Sequence, residues 1–349
     1  MRRARTIGVA LVAALLLGGC GFEMYEPVTE QGKDIRDLYN ILLVAAAVVF
    51  VLVEGAIVFA VVRYRRRDDQ LPPQFHGNNL LEVAWTVVPF VLVAVLFVLG
   101  WVVLNRIEAR ADNPRVVLNV QGFQWQWSFT YQDEKVEVEP GKPPEDLTIK
   151  GTIAKPPEIY LPVNQTIEVN TFARDVIHSF YIREFLFKRD AFPDHTNTFP
   201  LTITKPGVYH GQCTEYCGLA HQAMRFTVHA VPMGEYRAWI AQAKKRAESG
   251  CPEDTTPGEI AADRIAFDKP CLTAEAGKPF ILKFDNKEAV DHNVAILQGP
   301  EPDSEVAFRG EIFRGPKVVD YKVPALKAGR HFYRCDVHAT AMTGVLVAR

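Results

Sequence analysis

Residues 211–224 read GQCTEYCGLAHQAM, which sets Cys213, Cys217, His221 and Met224 in the order C-x3-C-x3-H-x2-M. Thiolate, imidazole and thioether are soft donors, the set that selects copper over harder ions. A Gly-x-Tyr strand (207–209) runs into this loop and a further strand candidate (225–230) leaves it. The same order recurs near the C-terminus. A His-x-Tyr strand (331–333) leads into CDVHATAM (335–342) and then into a last strand (344–348). There Cys335, His338 and Met342 repeat the donor types as C-x2-H-x3-M. The pattern reads as an internal repeat of one fold with diverged metal sites, and it points to electron transfer.

Working outward, the exposed half of the chain reads as β. Val116, Leu118 and Val120 alternate with their neighbours at the period of two that marks a half-buried strand, and Trp125, Trp127, Phe129 and Tyr131 carry it on. Pro140-Gly141, Pro143-Pro144, Pro156-Pro157 and Pro206-Gly207 punctuate the sequence as turns. Further strands are expected at 167–171 and 198–204, and this density of short strands indicates a sandwich or barrel. Residues 233–249 have helical composition and close a first domain at 113–249. Residues 250–258, with Pro252 and Pro257, read as a linker. A second β-rich domain follows at 259–349, with strands expected at 280–286, 293–297 and 318–323. At roughly ninety residues it is large enough for a small sandwich.

The N-terminal third is different. Arg2, Arg3 and Arg5 precede an apolar run at 6–17, so residues 1–19 read as a signal peptide. The ending Leu17-Gly18-Gly19-Cys20 resembles a bacterial lipoprotein box, which implies lipidation of Cys20; the plainer alternative is ordinary cleavage nearby. Two longer apolar runs, 38–62 and 81–104, each supply the ~20 residues that a spanning helix needs. They predict transmembrane helices at 36–63 and 81–104, the second tolerating Pro89. Arg63, Arg65, Arg66 and Arg67 lead into the intervening loop, 64–80, and place it in the cytoplasm. Everything after about residue 105 then lies outside. The expectation is a multi-pass protein of the bacterial cytoplasmic membrane with both soluble domains on the outer face. The net charge of -2 suggests no nucleic-acid partner. With Cys20, Cys213, Cys217 and Cys335 accounted for, Cys251 and Cys271 remain of the six cysteines. Disulfides persist outside the cytoplasm, so these two are expected to pair; two free thiols are the alternative.

A donor from outside the first loop is needed, and His178 in RDVIHSF (174–180) offers one. The stretches DVIHSF and GQCTEYCGLAHQAM resemble subunit II of the haem–copper cytochrome c oxidases. The resemblance runs from residue 36 to about 240. It implies a dinuclear mixed-valence copper centre bridged by Cys213 and Cys217. His178 and His221 would each bind one ion, and Met224 and the backbone carbonyl of Glu215 would complete the shell. A Cys–His zinc site or a Cys213–Cys217 disulfide are the alternatives for these residues, but four N/S ligands satisfy zinc and would leave Met224 and His178 surplus. LEVAWTVVP (81–89) resembles the start of the family's second membrane helix, which implies that Glu82 lies at the mouth of a proton channel in subunit I. The plainer reading is a carboxylate reaching the headgroups. Glu54, deeper in the first helix, has no counterpart to carry over. GFQWQW (122–127) resembles the family's aromatic strand, where the tryptophan at the Trp125 position takes in electrons from cytochrome c; Trp127 reads better as core. Gln126 and Arg174 depart from the family pattern. Acidic residues attract a basic donor, so Arg174 weakens the expectation of an ordinary soluble cytochrome c. The resemblance further implies that the Glu215 carboxylate binds magnesium at the contact with subunit I.

The second cluster resembles a blue-copper protein. Asp291-His292-Asn293-Val294 is similar to the upstream His-Asn-Val of small cupredoxins, which implies a type 1 copper held by His292, Cys335 and His338 with axial Met342. The His338–Met342 spacing is not the commonest in such proteins, and a fold that has lost its metal is the alternative. The expected fold class is therefore mixed, a two-helix transmembrane hairpin followed by two all-β cupredoxin-like sandwiches. The function implied is the electron-accepting subunit II of a respiratory oxidase. Cytochrome c or another small redox protein would be donor, and a haem-bearing subunit I would reduce oxygen and pump protons. The second domain would be a tethered donor or relay, since tethering raises effective concentration. The other histidines, His76, His195, His210, His229 and His331, lack clustered partners, and no His-x-His pair or haem-binding Cys-x-x-Cys-His occurs. The rival readings are a nitric oxide reductase subunit with the same dinuclear centre, and a membrane-anchored copper delivery or storage lipoprotein.

Overall fold

The computed structural model describes residues 24–65, 77–138, 143–153, 155–248, 251, 258–300, 302–339 and 341–349. The expected signal peptide, Cys20, and most of the 64–80 loop and the 250–258 linker lie outside the described residues. Two long helices come first, α1 (Glu30–Arg63) and α2 (Asn79–Glu108). Thr29 caps α1 by accepting a hydrogen bond from the Gly32 N–H at 2.9 Å, and Asn78 caps α2 by accepting from Leu80 and Leu81. Both helices are long and apolar enough to cross a membrane. Large apolar side chains such as Phe50, Val51, Phe90 and Phe97 stand exposed on them, as expected of a helix solvated by hydrocarbon rather than water. Both outrun the predicted spans, α1 beginning at Glu30 and α2 ending at Glu108. The added turns are polar and tied down outside any apolar band. Asp34 pairs with Arg106 at 3.3 Å, and Gln31 accepts from the Thr202 N–H at 3.1 Å.

The first sandwich contains β1 (Val116–Phe123), β2 (Gln126–Val136), β3 (Glu145–Lys150), β4 (Glu158–Pro162), β5 (Thr166–Ala173), β6 (His178–Ile182), β7 (Phe187–Ala191), β8 (Asn197–Thr202), β9 (Gly207–Cys213) and β10 (Arg225–Val231). They form two five-stranded sheets, ordered β3-β2-β1-β5-β8 and β4-β10-β9-β6-β7. The pairs β1/β5 and β4/β10 are parallel, so the chain crosses between sheets rather than meandering. β8 ends at Thr202 because the next residues turn to the helical hairpin: Ile203 bridges Thr29, and the Thr204 N–H donates to Val28 O at 2.7 Å. Between the sheets Trp127 packs edge-on to Phe180 and Phe226, and Phe180 stacks on Phe226 at 5.0 Å. Aromatic clusters of this kind carry much of a small core's burial energy. A third helix, α3 (Met233–Glu248), buries Tyr236, Ile240 and Ala243, while its Trp239 stacks on Tyr160 at 4.7 Å.

The second sandwich repeats the plan with shorter strands. It contains β11 (Glu259–Ala262), β12 (Cys271–Ala274), β13 (Phe280–Asn286), β14 (Asp291–His292), β15 (Ala295–Leu297), β16 (Val306–Arg309), β17 (Phe313–Arg314), β18 (Lys317–Val323), β19 (Gly329–Arg334) and β20 (Thr343–Ala348). The sheet β12-β20-β19-β15-β16 matches β4-β10-β9-β6-β7 strand for strand. Each opens with a parallel pair and continues antiparallel. The sheet β11-β13-β18 matches β1-β5-β8, again with one parallel and one antiparallel pair. The repeat suggested by the two ligand loops is therefore a repeat of topology, and both units are cupredoxin-like sandwiches. The strand expected at 293–297 is only Ala295–Leu297, because Asn293 is diverted into side-chain bonds described below. Cys251 and Cys271 are bonded to each other with Cα atoms 5.5 Å apart, joining the linker to the start of β12.

Candidate metal centres

In each sandwich the ligand loop joins two adjacent antiparallel strands, β9 and β10 in the first and β19 and β20 in the second, and a histidine arrives from upstream, His178 at the start of β6 and His292 on β14, which pairs with β17. β6 pairs with β9, setting Phe180 opposite Cys213 and bringing His178 over the loop. The approach is close. A Cβ on Gly122 would lie 2.9 Å from the His178 ring, so only glycine lets β1 pass behind this imidazole.

The structure brings the predicted donors together. Cys213 Sγ and Cys217 Sγ are 3.9 Å apart, too far for a disulfide. His178 Nδ1 lies 3.9 Å from Cys213 Sγ, and His221 Nδ1 lies 3.5 Å from Cys217 Sγ. Each thiol thus has its own imidazole. Met224 Sδ is 3.9 Å from Cys217 Sγ, and the Glu215 carbonyl oxygen is 3.3 Å from Cys213 Sγ. Cys213, Cys217, Met224 and His178 are all buried, and His221 is half-buried. The two thiols are electrostatically unlike. Their mutual contact is the largest influence on both, lowering the Cys213 thiol and raising the Cys217 thiol.

The second centre is built the same way with one thiol. Cys335 Sγ lies 3.6 Å from His292 Nδ1 and 4.0 Å from His338 Nδ1, and the two imidazole nitrogens are 3.2 Å apart. The three donor atoms lie within 4.8 Å of one another. Met342 is fully buried. Burial raises the Cys335 thiol, and burial lowers His338, with His292 adding to it.

Three features of these sites were not anticipated from the sequence. First, each upstream histidine is held by a carboxylate. Asp175 Oδ1 is 2.9 Å from His178 Nε2, and Glu288 Oε1 is 2.9 Å from His292 Nε2. Using Nε2 in this way turns Nδ1 toward sulfur in both rings, the arrangement by which outer carboxylates fix ligand histidines. Burial disfavours the charged imidazole of His178, but the bonds to Asp175 and Cys213 outweigh it and raise its pKa. Asp175 is lowered despite burial, by His178 and by the N–H groups of Gln124 and Val176. Second, the loops close identically. The Cys213 N–H donates to Met224 O at 3.0 Å and the Cys335 N–H to Met342 O at 2.9 Å. Third, the residue after each histidine clasps the residue after each cysteine. The Thr214 N–H donates to Ser179 O, and the Asp336 N–H donates to Asn293 Oδ1 at 2.8 Å. Asn293 Nδ2 in turn donates to Asp336 Oδ2 and Gly310 O. An acidic residue three or four positions before a histidine is the one signal in sequence that could have found the orienting pair.

Of the other predicted residues, Glu82 lies apart from these clusters, whereas Glu215 and Trp125 border the first. Glu82 stands in the first turn of α2, far along the chain from either loop. Glu54 lines an apolar groove between the helices with Phe50, Val53, Leu92 and Leu96. The Glu215 carboxylate is 3.6 Å from Lys188 Nζ. Trp125 is half-buried, and its indole N–H donates to Cys217 O at 3.1 Å. Val176, Ile177, Tyr216 and Leu219 form an exposed apolar rim on the loops that carry the first centre, Leu219 being 81% exposed.

Residues 20–103 match the family model of the cytochrome c oxidase subunit II transmembrane domain, and residues 116–231 match that of its periplasmic domain. Both spans end before the second sandwich. A probable cytochrome c oxidase subunit 2 of Streptomyces avermitilis is 32% identical over 283 residues, covering 71% of this chain and 88% of that protein. The cytochrome c oxidase subunit 2 of Mycobacterium bovis is 30% identical over 322 residues, covering 72% and 89%. Among solved structures, the periplasmic domain of subunit II of the Bradyrhizobium japonicum cytochrome oxidase is 28% identical, covering 38% of this chain and 96% of its own, with a TM-score of 0.31.

Proposed function

The chain belongs to the cytochrome c oxidase subunit II family, and on that premise we propose that it takes electrons outside the membrane at a dinuclear copper centre. It passes them to a haem-bearing subunit I, which reduces oxygen and pumps protons. The observation that carries this reading is a buried pair of thiols 3.9 Å apart, each with its own imidazole Nδ1. The donor set fits two coppers. Cys213 and Cys217 would bridge, His178 and His221 would bind one ion each, and Met224 and the Glu215 carbonyl would complete the shell. Bound copper would supply a one-electron couple shared over two ions. The protein's part is to hold these donors rigidly and keep water out, so that little rearranges when an electron comes or goes. Asp175 fixes the His178 ring, and Trp127 packs edge-on against it at 6.2 Å. The apolar rim of Val176, Ile177, Tyr216 and Leu219 suits contact with subunit I, since exposed patches of this kind mark interaction surfaces. The protein is assigned to the bacterial cytoplasmic membrane as a two-span chain with both sandwiches on the outer face, and with Cys20 lipidated.

The second sandwich is proposed to hold one type 1 copper at His292, Cys335 and His338, with Met342 axial. Glu82 is proposed to stand at the mouth of a proton channel of subunit I. Glu215 supplies one carboxylate oxygen, already facing Lys188. A magnesium ion needs about six oxygen ligands, so a magnesium site here would draw the rest from water and subunit I. Electron paramagnetic resonance of the copper-loaded full chain tests the reading. A multi-line mixed-valence signal is expected beside a type 1 signal. Its absence, with exchangeable copper instead, favours the delivery lipoprotein. The terminal acceptor, oxygen or nitric oxide, is read by assaying the complex with each gas.

The orienting carboxylates give a further expected result. Asp175→Asn lowers copper affinity at the first centre, and Glu288→Gln at the second, each by roughly 10–100-fold. Chelator-competition titration of each variant measures this. An unchanged affinity would show that the bonds to His178 and His292 do not support metal binding.

A further inference from the structure

The two sandwiches meet beside their ligand loops. Ile153, in the connection after β3, belongs to the apolar core of the second sandwich, and Ala220 and Ala223 of the first ligand loop pack against that core. Lys150 Nζ, at the end of β3, donates to Thr343 Oγ1 at 2.7 Å. Thr343 directly follows Met342. The same ammonium lies 4.8 Å over the ring of Phe123, two residues before Trp125. Trp125 completes the contact. Among the described residues it is the hydrophobic side chain packed against both cores. Its indole N–H donates to the carbonyl of Cys217, which also accepts from Gln124 Nε2 at 2.8 Å.

We propose that Trp125 is an internal coupling residue, through which the second centre delivers electrons to the first across this interface. The second sandwich then occupies the face of the first on which a separate donor would dock, and external donors reduce the second centre instead. This rests on the copper reading given above. The physical argument is contact. Electron tunnelling weakens steeply across gaps and is favoured by packed or bonded atoms. Here an aromatic ring touches one core and is hydrogen-bonded to the peptide of a proposed bridging ligand of the other. The step balances simply. One electron leaves the second donor set and one arrives at the first, with no bond made or broken and no proton moved. Because both sites are on one chain, the transfer is unimolecular and needs no tight interface.

The test uses the copper-loaded full chain in detergent. A flash-activated ruthenium photoreductant reduces the second centre, and the return of its blue thiolate band is followed against bleaching of the mixed-valence band. First-order transfer, independent of protein concentration, is expected. Trp125→Leu is expected to slow it by about tenfold or more, a barrier change readily resolved, while both resonance spectra and the copper content stay as in the unmodified chain. Trp125→Phe restores part of the rate and guards against a misfolded leucine variant. An unchanged rate in both variants with both signals intact overturns the inference, as does transfer that scales with protein concentration. Absence of the mixed-valence signal from the unmodified chain overturns the parent reading and this inference together, so the two failures are distinguishable.

Discussion

Cys217→Ser is expected to abolish the mixed-valence signal and to cut electron delivery to the haem subunit by more than about 100-fold. Cys217 Sγ joins three other donors of the first centre, lying 3.9 Å from Cys213 Sγ, 3.5 Å from His221 Nδ1 and 3.9 Å from Met224 Sδ. Losing it removes a proposed bridge and separates His221 and Met224 from the rest. Serine nearly preserves the volume but replaces a soft donor with a hard one, which copper disfavours. Altering an outer-shell partner already costs about 10–100-fold, so removal of a bridge should exceed that range. Stopped-flow reduction of the assembled oxidase reads the effect. The type 1 signal of the second sandwich serves as internal control, since Cys217 contributes nothing to it. Survival of the mixed-valence spectrum in this variant would refute the bridging role.

The second large effect concerns stability. Replacing both Cys251 and Cys271 by serine is expected to destabilise the second sandwich by about 3 kcal/mol, from the freed chain entropy of a loop with a sequence separation of 20. For a domain of this size that corresponds to a fall in midpoint on the order of 10–20 °C. Thermal bleaching of the type 1 band in the full chain measures it. The first sandwich, with its aromatic core and α3, should melt unchanged. The two bands therefore separate a local loss from a global one. Equal shifts in both would place the bridge's effect somewhere other than the second sandwich.

Much of the fold was readable because burial alternates strictly on the strands that matter. Val116, Leu118 and Val120 on β1, and Leu282, Phe284 and Asn286 on β13, all point inward, as a period of two requires. The strands that escaped notice lack that rhythm. β7 reads Phe-Lys-Arg-Asp-Ala and lies at a sheet edge, where charged residues are tolerated and protect against pairing. β4 is short, with buried residues in succession at its end. The donor residues were legible because sulfur and imidazole at fixed spacing are rare and chemically specific. Their supports were not. Asp175 and Glu288 are ordinary loop acids until the fold sets them against Nε2, and the Asn293–Asp336 clasp joins residues 43 apart. The contact between Lys150 and Thr343 spans 193 positions and follows no pattern, so only the folded chain reveals it.

The start of α1 has a mechanical consequence. Thr29 is bridged to Ile203, Val28 exchanges backbone bonds with Glu184 and Thr204, and Gln31 holds Thr202. At the other leg, Glu108 at the end of α2 reaches Arg189 at 3.8 Å. The first sandwich therefore rests on both legs of the hairpin rather than on a single tether. Its height and bearing are set by residue count. Each residue inserted in α1 between its cap and the apolar band would raise that leg by about 1.5 Å and turn it by about 100°. The hairpin is in this sense a gauge block, holding the metal loops at one elevation and azimuth over the bilayer.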